Sequence, residues 1–292
     1  MLVRTRETLE AEGRLIPINH GKSSAMRMLN ASDGMGFSLS EARGAPGGEA
    51  SLWYKNHWEA NYVRQGTGTL EDLTTGEVWQ LEPGMLYCVG PRDRHRLKNL
   101  GGEGFRIISV FNPPLSGKET HDADGAYTPG ATPPPPGRER MFVKTWAMAE
   151  AAGFAQEKSG GASRFAKLLT RADGLGFAFS DVRFKAGREA DLWYKNHWEA
   201  NIVLSGTVEI TDAATGRVHT IGADGVYCVG PRDKHHLKAV SDVHLLSIFN
   251  PPLEGTEVHD ADGAYPPTGE IPPGPAEQET GVPGSGHSSP IS

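Results

Sequence analysis

The segment SLWYKNHWEANYV at 51–63 returns as DLWYKNHWEANIV at 191–203, displaced by 140 positions. The same displacement aligns DGMGFSLS (33–40) with DGLGFAFS (173–180), and YCVGPRDRHRLK (87–98) with YCVGPRDKHHLK (227–238). Past two extra residues around Gly101 and Gly102 the displacement falls to 138, where FNPPLSGKETHDADGAY (111–127) matches FNPPLEGTEVHDADGAY (249–265). Self-similarity of this length means a tandem duplication, so whatever fold the first copy takes the second must take as well. Copy one runs over 1–128, a proline-rich connector over 129–140, copy two over 141–268 and a tail over 269–292. The connector's run of prolines predicts an extended, semi-rigid strap. The Pro, Gly and Ser of the tail predict disorder, because they bury too little apolar surface to offset ordering entropy.

A chain of 292 residues allows two domains, each able to bury a core of its own. No apolar run nears the roughly 18 residues of a membrane span, and MLVRTRETLEAEG lacks the apolar centre of a secretory leader. A cytoplasmic protein without a membrane partner is expected. Cys88 and Cys228 are too few for a disulfide framework or a thiolate metal site. A formal charge of −7 with scattered basic residues argues against a nucleic-acid footprint, which leaves a small molecule as the expected partner.

Apolar runs within each copy are short (FSLSEA, ANYVRQ, GTLEDL, EVWQLE, MLYCV, FRIISVF) and are separated by Gly, Pro, Asn and Asp turns, the punctuation of strands. Helical periodicity is confined to TRETLEAEG and TWAMAEAAGF. The fold class is all-β, each copy a small β-barrel or jelly roll. Linked copies can make between themselves the symmetric interface that separate chains make in a homodimer, so a pseudo-dimer within one chain is expected, alone or in a homo-oligomer.

Metal-holding jelly rolls of the cupin type carry a glutamate with six residues between it and a glycine. Glu59 with Gly66, and Glu199 with Gly206, fit that spacing. Trp53 and Lys55, and again Trp193 and Lys195, stand where the two upstream histidine ligands would be, so the common cupin set cannot be assembled. A later block supplies Tyr87 and His95 in copy one, Tyr227 and His235 in copy two. A carboxylate, a phenolate and an imidazole with positions left open suit iron(II), manganese or zinc acting as a Lewis acid. The plainer readings pair Glu59 with Lys55 or an arginine, pack Tyr87 in the core with its hydroxyl satisfied, and leave His95 at the rim.

His57 and His197, two positions before the glutamates, read first as hydrogen-bonded histidines beside a tryptophan. Glu119 and His121, with Glu257 and His259, set an acid and an imidazole on alternate positions after FNPPL. They are candidates for general acid and base, or else part of a solvated acidic turn built on Asp122 and Asp124. His236 has no counterpart in copy one, where Arg96 stands. Cys88 and Cys228 follow the tyrosines and therefore face away from them, toward buried packing.

These blocks resemble the ectoine synthase family over nearly the whole of each copy. DGMGFSLSE, LWYKNHWEA, PGMLY with RDRH, and FNPPLSGKETHDADGAY stand in the family's order and at close to its spacing. The resemblance implies two tandem cupin domains and an iron(II) site on Glu59, Tyr87 and His95, repeated on Glu199, Tyr227 and His235. It implies cyclodehydration of N-γ-acetyl-diaminobutyrate, the free α-amine attacking the acetamide carbonyl with loss of water. Glu119 and Glu257 then match a pocket glutamate that moves protons, Phe111 and Phe249 pack on the substrate, and Arg27 receives its carboxylate.

The departures from the family gather in that pocket. Its tryptophan is Ser23 and Ser163, and its arginine becomes Lys167 in copy two, without the bidentate fork. The threonine two positions after Ser40 and Ser180 is Ala42 and Val182, and a cysteine is Ser109 and Ser247. Ser40, Ser180, Ser109 and Ser247 are counted with the substrate shell. The leading reading is an ectoine-synthase-like, metal-dependent lyase with copy one the better kept site. A non-heme iron oxygenase acting on a small amine, and a metal-bearing binding module without turnover, are its alternatives.

Overall fold

The computed structural model describes residues 1–275. Copy one contributes β1 (Leu2–Arg4), α1 (Arg6–Ala11), β2 (Leu15–Ile18), β3 (Ser23–Leu29), β4 (Ser38–Gly44), β5 (Glu49–Leu52), β6 (Trp58–Gln65), β7 (Gly68–Asp72), β8 (Val78–Leu81), β9 (Leu86–Val89), β10 (His95–Asn99) and β11 (Phe105–Asn112). Copy two repeats the order with β12 (Phe142–Lys144), α2 (Trp146–Ala151), β13 (Ala155–Lys158), β14 (Ser163–Leu169), β15 (Ala178–Phe184), β16 (Glu189–Leu192), β17 (Trp198–Ser205), β18 (Val208–Asp212), β19 (Val218–Ile221), β20 (Val226–Val229), β21 (His235–Ala239) and β22 (Val243–Asn250). Each barrel is a jelly roll of a seven-stranded and a four-stranded antiparallel sheet. The large sheets run β12-β9-β6-β11-β4-β3-β2 and β1-β20-β17-β22-β15-β14-β13, and the small ones β5-β10-β7-β8 and β16-β21-β18-β19.

Sequence copies and spatial barrels do not coincide. Strand β1 pairs with β20 of copy two (Val3 opposite Tyr227), and β12 pairs with β9 of copy one (Val143 opposite Tyr87). Each copy thus lends its first strand to the other's large sheet, and the two barrels form an intrachain pair.

That pairing explains why the central strands are buried along their whole length instead of alternating. Trp58, Glu59, Ala60, Asn61, Tyr62 and Val63 of β6 are all buried, because one face looks into the barrel and the other meets the second barrel. The core between the barrels joins Phe37, Tyr62, Cys88 and Ile108 to Phe177, Phe179, Cys228 and Leu246. Phe37 and Phe177 lie 6.0 Å apart, and Tyr62 stacks on Phe179 at 6.1 Å. Both cysteines are free and buried there, with their thiols pushed up by burial.

The connector straps one barrel to the other: Pro135 accepts a hydrogen bond from Trp58 Nε1 (3.0 Å), and Gly137 N–H donates to Gly174 O (3.2 Å). Residues 269–275, where disorder is expected from composition, make the matching strap. Pro272 O accepts from Trp198 Nε1 (3.0 Å) and Gly274 N–H donates to Gly34 O (2.9 Å). Composition misses this because tryptophan and backbone partners on the folded barrels supply the order. The rest of the expected disordered tail, 276–292, lies outside the described residues.

Candidate active site

Strand register sets the site. Residues opposite one another in an antiparallel pair point to the same face, and in barrel one Tyr87 is opposite Asn61, Asn61 opposite Ser109, Ser109 opposite Ser40, and Ser40 opposite Arg27. A polar row therefore crosses five strands inside the barrel. One step along, Glu59 stands opposite Phe111. Barrel two repeats the row as Tyr227, Asn201, Ser247, Ser180 and Lys167, with Glu199 opposite Phe249. Each row borders a cavity, of about 120 Å³ in barrel one and about 170 Å³ in barrel two.

Burial pushes the Glu59 carboxyl up to about 7, against the pull of Asn61, Ser109 and Arg27. Glu199 is pushed up to about 7 likewise, opposed by Asn201 and Ser247. Ser109 Oγ donates to Asn61 Oδ1 at 2.5 Å, which turns the Asn61 amide nitrogen away, and that nitrogen has no hydrogen-bond partner. Lys55 does not pair with Glu59; it binds Asp124, as Lys195 binds Asp260 and Asp262. Tyr87 shares the cavity with Glu59, and burial together with that carboxylate raises its hydroxyl well above the ordinary range.

His95 comes from the small sheet and is buried, not at the rim. Its Nδ1 lies 3.1 Å from Asp93 O, and His235 Nδ1 lies 2.8 Å from Asp233 O. A carbonyl only accepts, so Nδ1 carries the hydrogen and Nε2 keeps its lone pair; His235 Nε2 is buried without a partner. Burial holds both rings below the usual range, His95 at about 4, and hence neutral. A carbonyl-oriented neutral imidazole with Nε2 free is the form that binds a metal. Among the described residues no group of three or more His, Cys, Asp or Glu side chains is arranged for a metal. Glu59 and His95 are two of those types and Tyr87 is a third donor outside them, so the donor set fits iron(II), zinc or manganese chemically.

The acid–base candidates separate. His121 borders the cavity: its Nδ1 accepts from Asn19 N–H at 3.0 Å, so Nε2 carries the hydrogen and donates to Tyr54 Oη at 2.9 Å. Burial, aided by Arg27, pushes the His121 ring down to about 4. His259 is also pushed to about 4 by burial, and its Nε2 stands farther from Tyr194, at 3.4 Å. Glu119 does not border the cavity. Its carboxylate accepts the amides of Ser116 (2.6 Å) and Gly117 (2.9 Å), which together outweigh burial and hold it below the usual carboxylate range. Glu257 caps the equivalent turn through Glu254 and Gly255. Both glutamates cap their turns with their carboxylates, and neither borders its cavity.

Arg27, 2% exposed, reaches Ser40 Oγ (3.2 Å) and the Glu119 carbonyl (3.1 Å) and lies over the Tyr127 ring. Lys167 instead donates to Gly255 O (2.7 Å) and pairs with the Glu257 carboxylate (3.3 Å). His197 Nε2 meets Thr268 Oγ1 at 3.0 Å, the expected hydrogen-bonded histidine. His57 is equally buried but both its nitrogens lack partners, because the position matching Thr268 is Gly130. His236 is bonded to Asp191 on an exposed edge, away from the cavity.

Tyr54 and Tyr127, with Tyr194 and Tyr265, are the residues sequence reasoning passed over. Tyr54 touches His95, Phe111, His121 and Tyr127, and so joins the small-sheet histidine to the cavity. Tyr127 stacks on His121 at 4.4 Å. Both lie inside the repeated blocks, which was their only signal.

The sequence model described as "Ectoine synthase" matches residues 1–131 and again 141–269. The chain belongs to the ectoine synthase family. The L-ectoine synthase of Desulfosudis oleivorans is 50% identical over 104 residues, 36% of this chain and 80% of that protein. That of Desulfatibacillum aliphaticivorans is 42% identical over 127 residues, 44% of this chain and 96% of that protein. Each ectoine synthase relative thus corresponds to a single copy. A solved structure of oxalate decarboxylase superposes with a TM-score of 0.60 at 14% identity, over 86% of this chain and 77% of its own. That likeness shows the two-barrel cupin fold. As a family member the chain is an enzyme, a hydro-lyase of the ectoine synthase type. No helix among the described residues is long and apolar enough to cross a membrane.

Proposed function

We propose that the chain closes the ring of N-γ-acetyl-diaminobutyrate by iron-dependent cyclodehydration. The observation that supports this most is a buried, carbonyl-oriented His95 in ring contact with Tyr54, which borders the same cavity as the buried Glu59, Tyr87 and Arg27. Iron(II) held by Glu59, Tyr87 and His95 would supply Lewis-acid polarisation of the acetamide carbonyl. Arg27 receives the substrate carboxylate at the other end of the polar row. Phe111 and Tyr127 wall the chain between these ends into the folded shape that brings the α-amine onto the carbonyl carbon, which is the larger part of the rate enhancement.

Ring closure forms a C–N bond and breaks the C–O bond; both amine protons leave with that oxygen as water. Tyr54, at the cavity wall, holds a proton at Oη, fixed by the hydrogen bond from His121 Nε2–H, and would deliver it to the departing oxygen and recover one from the amine. Glu119 acts as a positioning residue, its carbonyl steadying Arg27.

The test is product analysis by NMR on anaerobically iron-loaded protein mixed with N-γ-acetyl-diaminobutyrate. Conversion to the cyclic product, lost on chelation and restored by iron(II), is expected. A folded, metal-replete chain that gives no product, or that consumes dioxygen in proportion to substrate, overturns the proposal.

A further inference from the structure

We infer that only barrel one binds the carboxylate of an anionic substrate, because barrel two has closed its own binding cation with an internal ion pair. This inference rests on the proposed function and concerns how many of its two sites are open. Arg27 is buried and touches neutral acceptors alone, Ser40 Oγ and the Glu119 carbonyl, while its Nε has no partner. Among the described residues no carboxylate lies within ion-pair distance of it. The nearby Glu119 carboxylate is held by the Ser116 and Gly117 amides. A buried cation without a counter-ion is costly, and an incoming carboxylate removes that cost while filling donors already pointed into the cavity.

In barrel two the end of the row is a lysine, whose flexible stem and point charge do not copy the planar fork. Lys167 leaves Ser180, its register partner, and reaches Glu257 at 3.3 Å and the Gly255 carbonyl at 2.7 Å, with the lysine and glutamate side chains both 4% exposed. A ligand carboxylate would have to displace Glu257 and leave a second buried anion beside it. The other cations bordering this cavity stand elsewhere: Lys158 lies over Phe165, and Arg188 Nε donates to Ser163 Oγ. They replace Ile18 and Gly48 of copy one and do not restore the row.

The test is anaerobic titration calorimetry of the full, iron-loaded chain with L-ectoine, the cyclic carboxylate product of the proposed reaction. One ligand per chain is expected, with Kd raised at least about tenfold by Arg27→Lys. Glu257→Gln keeps the acceptor that caps the 254–257 turn but removes the charge, and should raise the count to two. Unfolding curves confirm that each variant is folded. Two ligands per wild-type chain, or one whose Kd ignores Arg27→Lys, overturn the inference and leave the proposed function standing. A count unmoved by Glu257→Gln overturns the ion pair as its cause. No binding at all overturns the inference and the proposed function together.

Discussion

Barrel one lays Tyr87, Asn61, Ser109, Ser40 and Arg27 across five strands, and barrel two lays Tyr227, Asn201, Ser247, Ser180 and Lys167 in the same register. Four of the five positions hold the same residue, and the fifth changes the chemistry of the whole cavity. A slip of one residue in any of these strands would turn the polar row out of the barrel, so the register is pinned. Replacing arginine by lysine costs the fold little, because Glu257 and Gly255 satisfy the new charge. Duplication has kept the backbone and let the end of the row diverge. The barrel interface diverges similarly. Around Glu41 it gathers Arg64, Arg106 and Asp224, whereas around Asp181 it gathers Tyr62 and His244.

The sharpest test of unequal barrels short of removing a proposed metal ligand lies in the hydroxyls. Tyr54→Phe should lower kcat about a hundredfold with little change in KM, because it removes the Oη proton that the hydrogen bond from His121 orients. Tyr194→Phe should lower total activity less than about twofold. Steady-state kinetics of both variants decide it, and equal losses would mean that the barrels share the work.

The straps make the opposite prediction, that the barrels behave alike. Gly137 and Gly274 have φ of +57° and +73°, and a Cβ on either would meet a tryptophan ring carbon at 2.0 Å, Trp58 in one barrel and Trp198 in the other. Gly137→Ala and Gly274→Ala should each lower unfolding stability by about 2–4 kcal/mol, measured by urea titration. If Gly274→Ala unfolds like the parent, the C-terminal strap is not equivalent to the connector.

The smallest effect concerns the thiols at the shared core. Cys88 and Cys228 are buried with their thiols pushed far up, so neither should react with a thiol reagent in the native chain. Both should react once urea separates the barrels. Rapid native labelling of one of them would show that the two sides of the interface are not equally closed.

Much of this was legible in the sequence because the repeat supplied two readings of every block. The strand-like runs, the all-β class and the intrachain pair follow from it. The burial of Cys88, on the strand face opposite Tyr87, follows from simple alternation. What sequence hid depends on partners far along the chain. Glu119 looked like a base because its spacing from His121 suited one, but two amides of its own turn hold the carboxylate. Tyr54 passed unnoticed because its link to His121 spans 67 positions. The strap at 269–275 depends on Trp198 and Gly34, which composition cannot see. The exchange of β1 and β12 likewise needs both barrels in place.

The most direct measurement pairs Glu59→Ala with Glu199→Ala in the NMR ring-closure assay, with bound iron counted in each. Each variant should hold one iron fewer than the parent. Ring closure should fall at least about a thousandfold in Glu59→Ala, and Glu199→Ala should retain more than about half of the parent rate. Equal losses, or a larger loss in Glu199→Ala, would contradict the account.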